Sequence, residues 1–277
     1  MAADDKNERG AGCARTDQVG KVFIVVGQSN AANHGSVKTQ TKTGLVSSFD
    51  GTTWHLANDP QLGATGDGGS FMPAFGDSIA TKFKVPVGLV PRAVGGTSVR
   101  EWLPKGEKVD HLTTTGAGLT AVGPGQWESN GILFARLSDA LTGLGAHGCR
   151  AVLWHQGESD AGQARSGYPA AVQISGDEYA SYMGVLINAS RKVAGWDVPW
   201  FTAQATYHSE ADPADPEFRA AQKSLWDSKL ALEGPDTDVL RAEYRNGVHM
   251  NDKGLQKHGE LWAEKVGVWL ETQLELK

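Results

Sequence analysis

An α/β fold, with a central parallel sheet of about five strands and helices on both faces, is what this sequence predicts, on three observations. Val22, Phe23, Ile24, Val25 and Val26 form an apolar, mostly β-branched run without polar alternation, the pattern of a strand buried on both faces. Short apolar runs of this kind alternate along the chain with segments whose apolar residues recur at helical spacing. Several of the runs stop at glycines followed by small polar residues, the chemistry found where parallel strands feed ligand-binding turns.

Taken in order, residues 1–18 are polar and aperiodic and read as a flexible tail, leaving 19–277 as one domain. The first strand spans 22–26 and ends at Gly27-Gln28-Ser29-Asn30. Residues 36–70, rich in Gly, Thr, Ser and Asp, read as a long surface connection. A helix is expected over 72–84, then a strand over 85–94 that ends in Gly95-Gly96-Thr97-Ser98. Residues 104–128 again read as loop. Ile132, Leu133, Ala135, Leu137, Leu141 and Leu144 give the apolar face of a helix over 130–145. The third strand, 151–154, stops abruptly at His155-Gln156-Gly157-Glu158. A helix over 178–193, a strand over 198–205, a helix over 216–232 and a short fifth strand over 237–242 follow. Leu255, Trp262, Val266, Trp269 and Leu270 mark one face of a last helix that packs on the sheet.

Composition narrows the function. The chain of 277 residues has a formal charge of −6, and its Lys and Arg are not clustered as binding a phosphate backbone requires, so nucleic acid is not expected as a partner. No apolar run reaches the roughly 18 to 20 residues of a membrane span. The polar start is compatible with an export signal already removed, which favours a secreted or periplasmic protein, with the cytoplasm as the alternative. Cys13 and Cys149 allow one disulfide or two separate thiols. No His/Cys/Asp spacing matches a zinc site, because His155 and Glu158 lack the second histidine of H-E-x-x-H, and no cofactor is expected. Oligomeric state is left open.

In a parallel sheet, strand ends of one sense share an edge, so the turns after Gly27, Val94 and Trp154 are expected to meet in one crevice. The segment Asn246-Gly247-Val248-His249, between the last strand and the last helix, opens on the same edge. Ser29 is then a candidate nucleophile, or simply a serine capping the next helix. His249 is a candidate base, or an ordinary histidine at a helix start. Gly95 and Gly96 let a backbone N–H approach a developing oxyanion, or merely form a turn. Ser29's own N–H and the Gln156 side-chain amide complete the candidate oxyanion donors. Trp102 and Trp54 are placed near substrate, since aromatic rings offer large flat apolar faces for a ligand to stack on. Arg100 either contacts an acidic substrate or pairs with Glu101. His34 either lines the cleft or sits on the surface.

Together Gly27-Gln28-Ser29-Asn30, the Gly95-Gly96-Thr97-Ser98 turn, Trp154 to Asp160 (WHQGESD) and Val248-His249 resemble the SGNH hydrolase superfamily, in particular carbohydrate esterase family 6 (the acetylxylan esterase type) and the sialate O-acetylesterases. The four blocks stand in the family's order over residues 22–254. The resemblance implies a flavodoxin-like α/β/α sandwich (the SGNH hydrolase fold) and a metal-free serine esterase that removes acetyl groups from sugars. It matches Ser29 to the nucleophile, His249 to the base, and Ser29, the Gly95-Gly96 turn and Gln156 to the oxyanion hole, with Glu158 supporting the site.

One position departs from the family. Many members carry an acid three residues before the histidine, where this chain has Asn246, which can hold an imidazole N–H but cannot offset the charge on an imidazolium. The expectation is a Ser29–His249 dyad assisted by Glu158, with Asn246 as the other candidate for orienting the ring and loop bracing as the other account of Glu158. The competing classes are an inactive carbohydrate-binding relative, for which Asn246 and nine tryptophans would both speak, and a lipase or thioesterase of the same superfamily.

Overall fold

The computed structural model describes residues 21–110, 113, 116–162 and 167–275. The tail expected over 1–18, and Cys13 with it, lies outside them. In chain order the elements are β1 (Val22–Gly27), β2 (Val46–Phe49), β3 (Trp54–Leu56), α1 (Met72–Phe83), β4 (Val87–Pro91), β5 (Lys108–Val109), β6 (Leu119–Gly123) and β7 (Gln126–Ser129). They continue with α2 (Ile132–Leu144), β8 (Ala151–His155), α3 (Gly176–Ala194), β9 (Trp200–Gln204), α4 (Pro216–Asp227), β10 (Leu232–Asp236), β11 (Arg245–Asn246), β12 (His249–Met250) and α5 (Asp252–Glu275).

The central sheet has seven strands in the order β10-β9-β8-β1-β4-β2-β3, parallel except for β3, which runs antiparallel to β2 at one edge. Strand β1 is the middle strand, hydrogen-bonded on both sides, which is why its side chains show no polar alternation. Its alternate residues enter different layers. Val22, Ile24 and Val26 join Leu137 of α2, Met183 of α3 and Leu225 of α4. Phe23 and Val25 join Phe75 of α1 and Trp262 and Val266 of α5. A period of two on the central strand thus builds two cores, and the result is a three-layer α/β/α sandwich.

Three expectations are corrected here. The sheet has seven strands rather than about five, because β2 and β3 lie inside the segment read as loop. Their sequences, VSSF and WHL, are too short to mark a strand by pattern, and β2 becomes a strand because β4 supplies its hydrogen bonds. Residues 104–128, also read as loop, contain the small antiparallel sheet β5-β7-β6. The strand expected at 237–242 is β10, five residues earlier, and α4 ends at Asp227. Gly234 and Pro235 disguise β10. A Cβ at Gly234 would stand 2.6 Å from the Thr202 carbonyl oxygen of β9, and proline is tolerated because β10 is an edge strand.

Helix ends follow their local chemistry. Ser175 and Glu178 form a reciprocal capping box at the start of α3, and Gly195 in the left-handed region ends it. Asp215 caps α4 by accepting from the Glu217 and Phe218 N–H groups, and Pro216 opens the helix. Among the described residues no helix is long and apolar enough to cross a membrane.

Candidate active site

Gly27 is the hinge from strand to site. It has φ +128°, and a Cβ there would lie 2.0 Å from the His155 carbonyl oxygen, so no other residue fits. The chain then turns through a short 3-10 segment, Ser29–Ala31, whose first residue is 7% exposed. Gln28 joins this turn to the one after β8 by accepting from the N–H groups of Gly157 (3.4 Å) and Ser159 (3.0 Å).

Asn30 makes the longer connection. Its side-chain amide donates both to Glu158 Oε1 (2.8 Å) and to the Val248 carbonyl (3.1 Å). The residue after Ser29 is therefore bonded to the residue before His249, across 218 positions of sequence. His249 lies in the β11–β12 hairpin, which Arg245 pins by donating to the carbonyls of Leu240, Val248 and Thr237 while its guanidinium stacks on Tyr207, 4.2 Å from the ring centre.

An open cleft of about 420 Å³ at the carboxyl edge of the sheet is lined by Ser29, Gly96, Glu158 and His249. The expected convergence of turns is observed. His34, Tyr168 and His208 also line it, and of these the sequence marks only His34 as a candidate. His208 faces Asp212 through Nδ1 (3.0 Å) and the Glu158 carbonyl through Nε2 (2.6 Å), bracing the Glu158 turn. The loops after β8 and β9 that carry Tyr168 and His208 have no local pattern that marks them.

Electrostatics separates His249 and Glu158, two ionisable groups that line the cleft with Ser29. His249 is held below the ordinary histidine pKa, first by burial and then by His34 and Arg245. Its neutral, proton-accepting form is thereby favoured. Glu158 is buried and pushed up to about 7 by desolvation, against which the Asn30 hydrogen bond acts. Its Oε2 has no hydrogen-bond partner among the described residues. Beneath it His155 Nε2 meets Thr237 Oγ1 at 2.9 Å, and that hydroxyl already donates to the Gln204 carbonyl, so His155 carries its proton on Nε2.

Several sequence candidates sit elsewhere. The Gln156 amide is fully buried and donates to the Thr97 carbonyl (3.1 Å) and to Asp160 (2.7 Å), so it does not point into the cleft as an oxyanion donor. Gly95 N–H is taken by Thr65 Oγ1 at 2.8 Å. That leaves the N–H groups of Gly96 and Ser29, neither of which bonds another described group.

Trp102 is wholly buried, packed edge-on against Trp154 with its N–H on Thr97, and Arg100 is equally buried, paired with Asp160 and donating to Val172. Trp54 is 7% exposed and lies over Phe49 and Gly88 at the sheet edge. None of these three faces the cleft. Their aromatic and planar surfaces fill the interior, where such large groups bury the most area. Asn246 is exposed, opposite His249 in the hairpin, and its side chain makes no hydrogen bond to the imidazole; nor does Glu158. Asp160, to which the sequence assigns no role, gathers Ser98, Val99, Arg100 and Gln156 beneath the Gly96 turn. Cys149 is buried, its thiol pushed up to about 12.

A parallel sheet flanked by two helical layers, with serine, histidine and glycine turns meeting at its carboxyl edge, defines a hydrolase of the α/β/α sandwich class. The model of one family, described as carbohydrate esterase, sialic acid-specific acetylesterase, matches residues 19–267. The chain belongs to that family, and it is a carbohydrate acetylesterase.

Solved structures share the fold. An Arabidopsis thaliana protein is 19% identical, with a TM-score of 0.59 and coverage of 89% of this chain and 96% of that one. A carbohydrate acetylesterase from Xanthomonas citri is 15% identical with a TM-score of 0.52, covering 88% of this chain and 55% of that one. The psychrotrophic esterase EstA from Pseudoalteromonas is 10% identical with a TM-score of 0.51, covering 91% and 99%. No curated protein sequence matches the chain.

Proposed function

We propose that this chain is a serine esterase of the SGNH type that releases O-acetyl groups from carbohydrates through an acetyl-enzyme on Ser29, with His249 as base. The observation that carries the reading is the Asn30 bridge, which fastens the Ser29 turn to the His249 hairpin at the rim of one cleft. Ser29 Oγ attacks the acetyl carbonyl while His249 takes its proton. The tetrahedral oxyanion is held by the Ser29 and Gly96 N–H groups, and the sugar hydroxyl leaves with the proton from His249. Water then repeats the cycle and frees acetate.

The role of Glu158 follows from its partners. It receives Asn30 and so keeps the bridge in place, and its protonated form offers a donor within the site. Glu158→Ala is expected to lower activity more than Asn246→Ala, because the first removes the acceptor that holds Asn30 and the second an exposed side chain.

Acetylated xylan, O-acetyl sialic acid and acetylated monosaccharides are the substrates to compare, the middle one being the class that the family description prints. Ser29→Ala, at unchanged melting temperature, is expected to reduce hydrolysis of p-nitrophenyl acetate by roughly a thousandfold or more. A rate equal to wild type removes Ser29 from its role. Acetate release across the three substrates assigns the sugar, and sugar binding without acetate release favours the carbohydrate-binding alternative.

A further inference from the structure

We propose that His34 is a positioning residue for His249, restraining the base by ring packing where related sites use a carboxylate; this rests on the reading of His249 as the base. Neither polar candidate holds the imidazole: Asn246 is exposed, and Glu158 is engaged by Asn30. The side chain that does lie against it is His34, whose ring centre is 5.4 Å away with the planes inclined by 30°.

The position of His34 is built rather than incidental. Asn33, just before it, is locked by three hydrogen bonds, donating to the carbonyls of Gln61 (2.9 Å) and Ala64 (3.3 Å) and accepting from Gln61 N–H (2.7 Å). The ring then enters a slot between two glycines. A Cβ on Gly95 would stand 2.6 Å from His34 Nε2, and one on Gly66 would stand 3.0 Å from Cδ2. Gly66 has a left-handed backbone that calls for glycine by itself, whereas Gly95 is not among the glycines with positive φ. Room for the His34 ring is what the bare Cα at 95 supplies. Thr65 closes the slot, taking the Gly95 N–H at 2.8 Å and facing His34 Nε2 at 3.5 Å.

Such a contact limits the rotation of His249 about its side-chain bonds, so less of its time is spent away from Ser29. Burial favours the neutral ring at His34, with Asp67 acting in the opposite direction.

The test separates packing from proton transfer and from folding. His34→Ala is expected to lower kcat on p-nitrophenyl acetate about tenfold or more, with KM changed less than about twofold, as for a group that orients the base without binding substrate. His34→Phe, which restores a flat ring but no nitrogen, is expected to return kcat to within about threefold of wild type. Gly95→Ala, which pushes a methyl into the ring, is expected to lower kcat in the wild-type background and markedly less in the His34→Ala background. Melting temperatures accompany each variant.

The proposal is overturned if His34→Ala leaves kcat unchanged, if His34→Phe at wild-type melting temperature is as slow as His34→Ala, or if the Gly95→Ala loss is the same in both backgrounds. His249→Ala separates this failure from that of the underlying reading. If His249→Ala keeps wild-type activity, the base is misassigned and the role of His34 falls with it. If His249→Ala is inactive while His34→Ala is not slowed, only the His34 proposal fails.

Discussion

The proposed base, His249, sits at a half-buried position whose surroundings all act against protonation: desolvation first, then His34 and Arg245. A general base must be neutral to act, so a lowered pKa extends activity toward acid. The acidic limb of kcat/KM against pH is therefore expected to have its midpoint below 6.5. A midpoint at or above 6.5 contradicts the assignment.

Glu158 behaves in the opposite sense, and its effect is read in stability. Its pKa is about 7 in the fold against an ordinary 4.5, so the folded chain holds a proton that the unfolded chain has released between these values. Whatever stability this group contributes is complete below about 4.5 and falls as pH rises through 7. Between pH 4.5 and 8 wild type should lose, relative to Glu158→Gln, on the order of 3 kcal/mol of unfolding free energy, at about 1.4 kcal/mol per pKa unit. Parallel urea-unfolding stabilities across that range would show that the carboxyl titrates normally. His155 and His258, both buried and held neutral, contribute the reverse slope below their ordinary range, which is why the comparison with Glu158→Gln, rather than the wild-type curve alone, isolates the carboxyl.

At the scale of elements, the tryptophans show how the sheet uses aromatic residues. Trp54 of β3 lies against Phe49 of β2 with ring centres 5.0 Å apart, and its ring covers Gly88 of β4, so a single side chain seals the three strands at that edge. Trp54→Ala is expected to destabilise the fold by about 3 to 5 kcal/mol in denaturant unfolding, the usual range for removing a buried aromatic. KM for acetylated sugar should stay unchanged in the folded fraction, since the ring is remote from the cleft lining. A raised KM at unchanged stability would restore Trp54 to the substrate. The same distinction applies to the pair β2 and β3: their sequences carry no strand signal of their own, and what makes them strands is the hydrogen-bonding edge of β4.

For the molecule as a whole, the sequence by itself determined the α/β alternation, a first strand buried on both faces, and the meeting of the Ser29, Gly96, Glu158 and His249 turns at one edge. These are local or topological facts: a doubly buried strand must be apolar throughout, and parallel strands deliver their ends to the same side. What only the tertiary structure decided is which polar and aromatic groups face the cleft and which face the core. Gln156, Arg100 and Trp102 stand beside the cleft turns in sequence, yet Asp160, Thr97 and Trp154 draw them inward, whereas His34, Tyr168 and His208 reach the cleft from separate loops. Side-chain direction at a turn depends on partners that arrive from distant segments, and hydrogen bonding and burial area, rather than position along the chain, select among them.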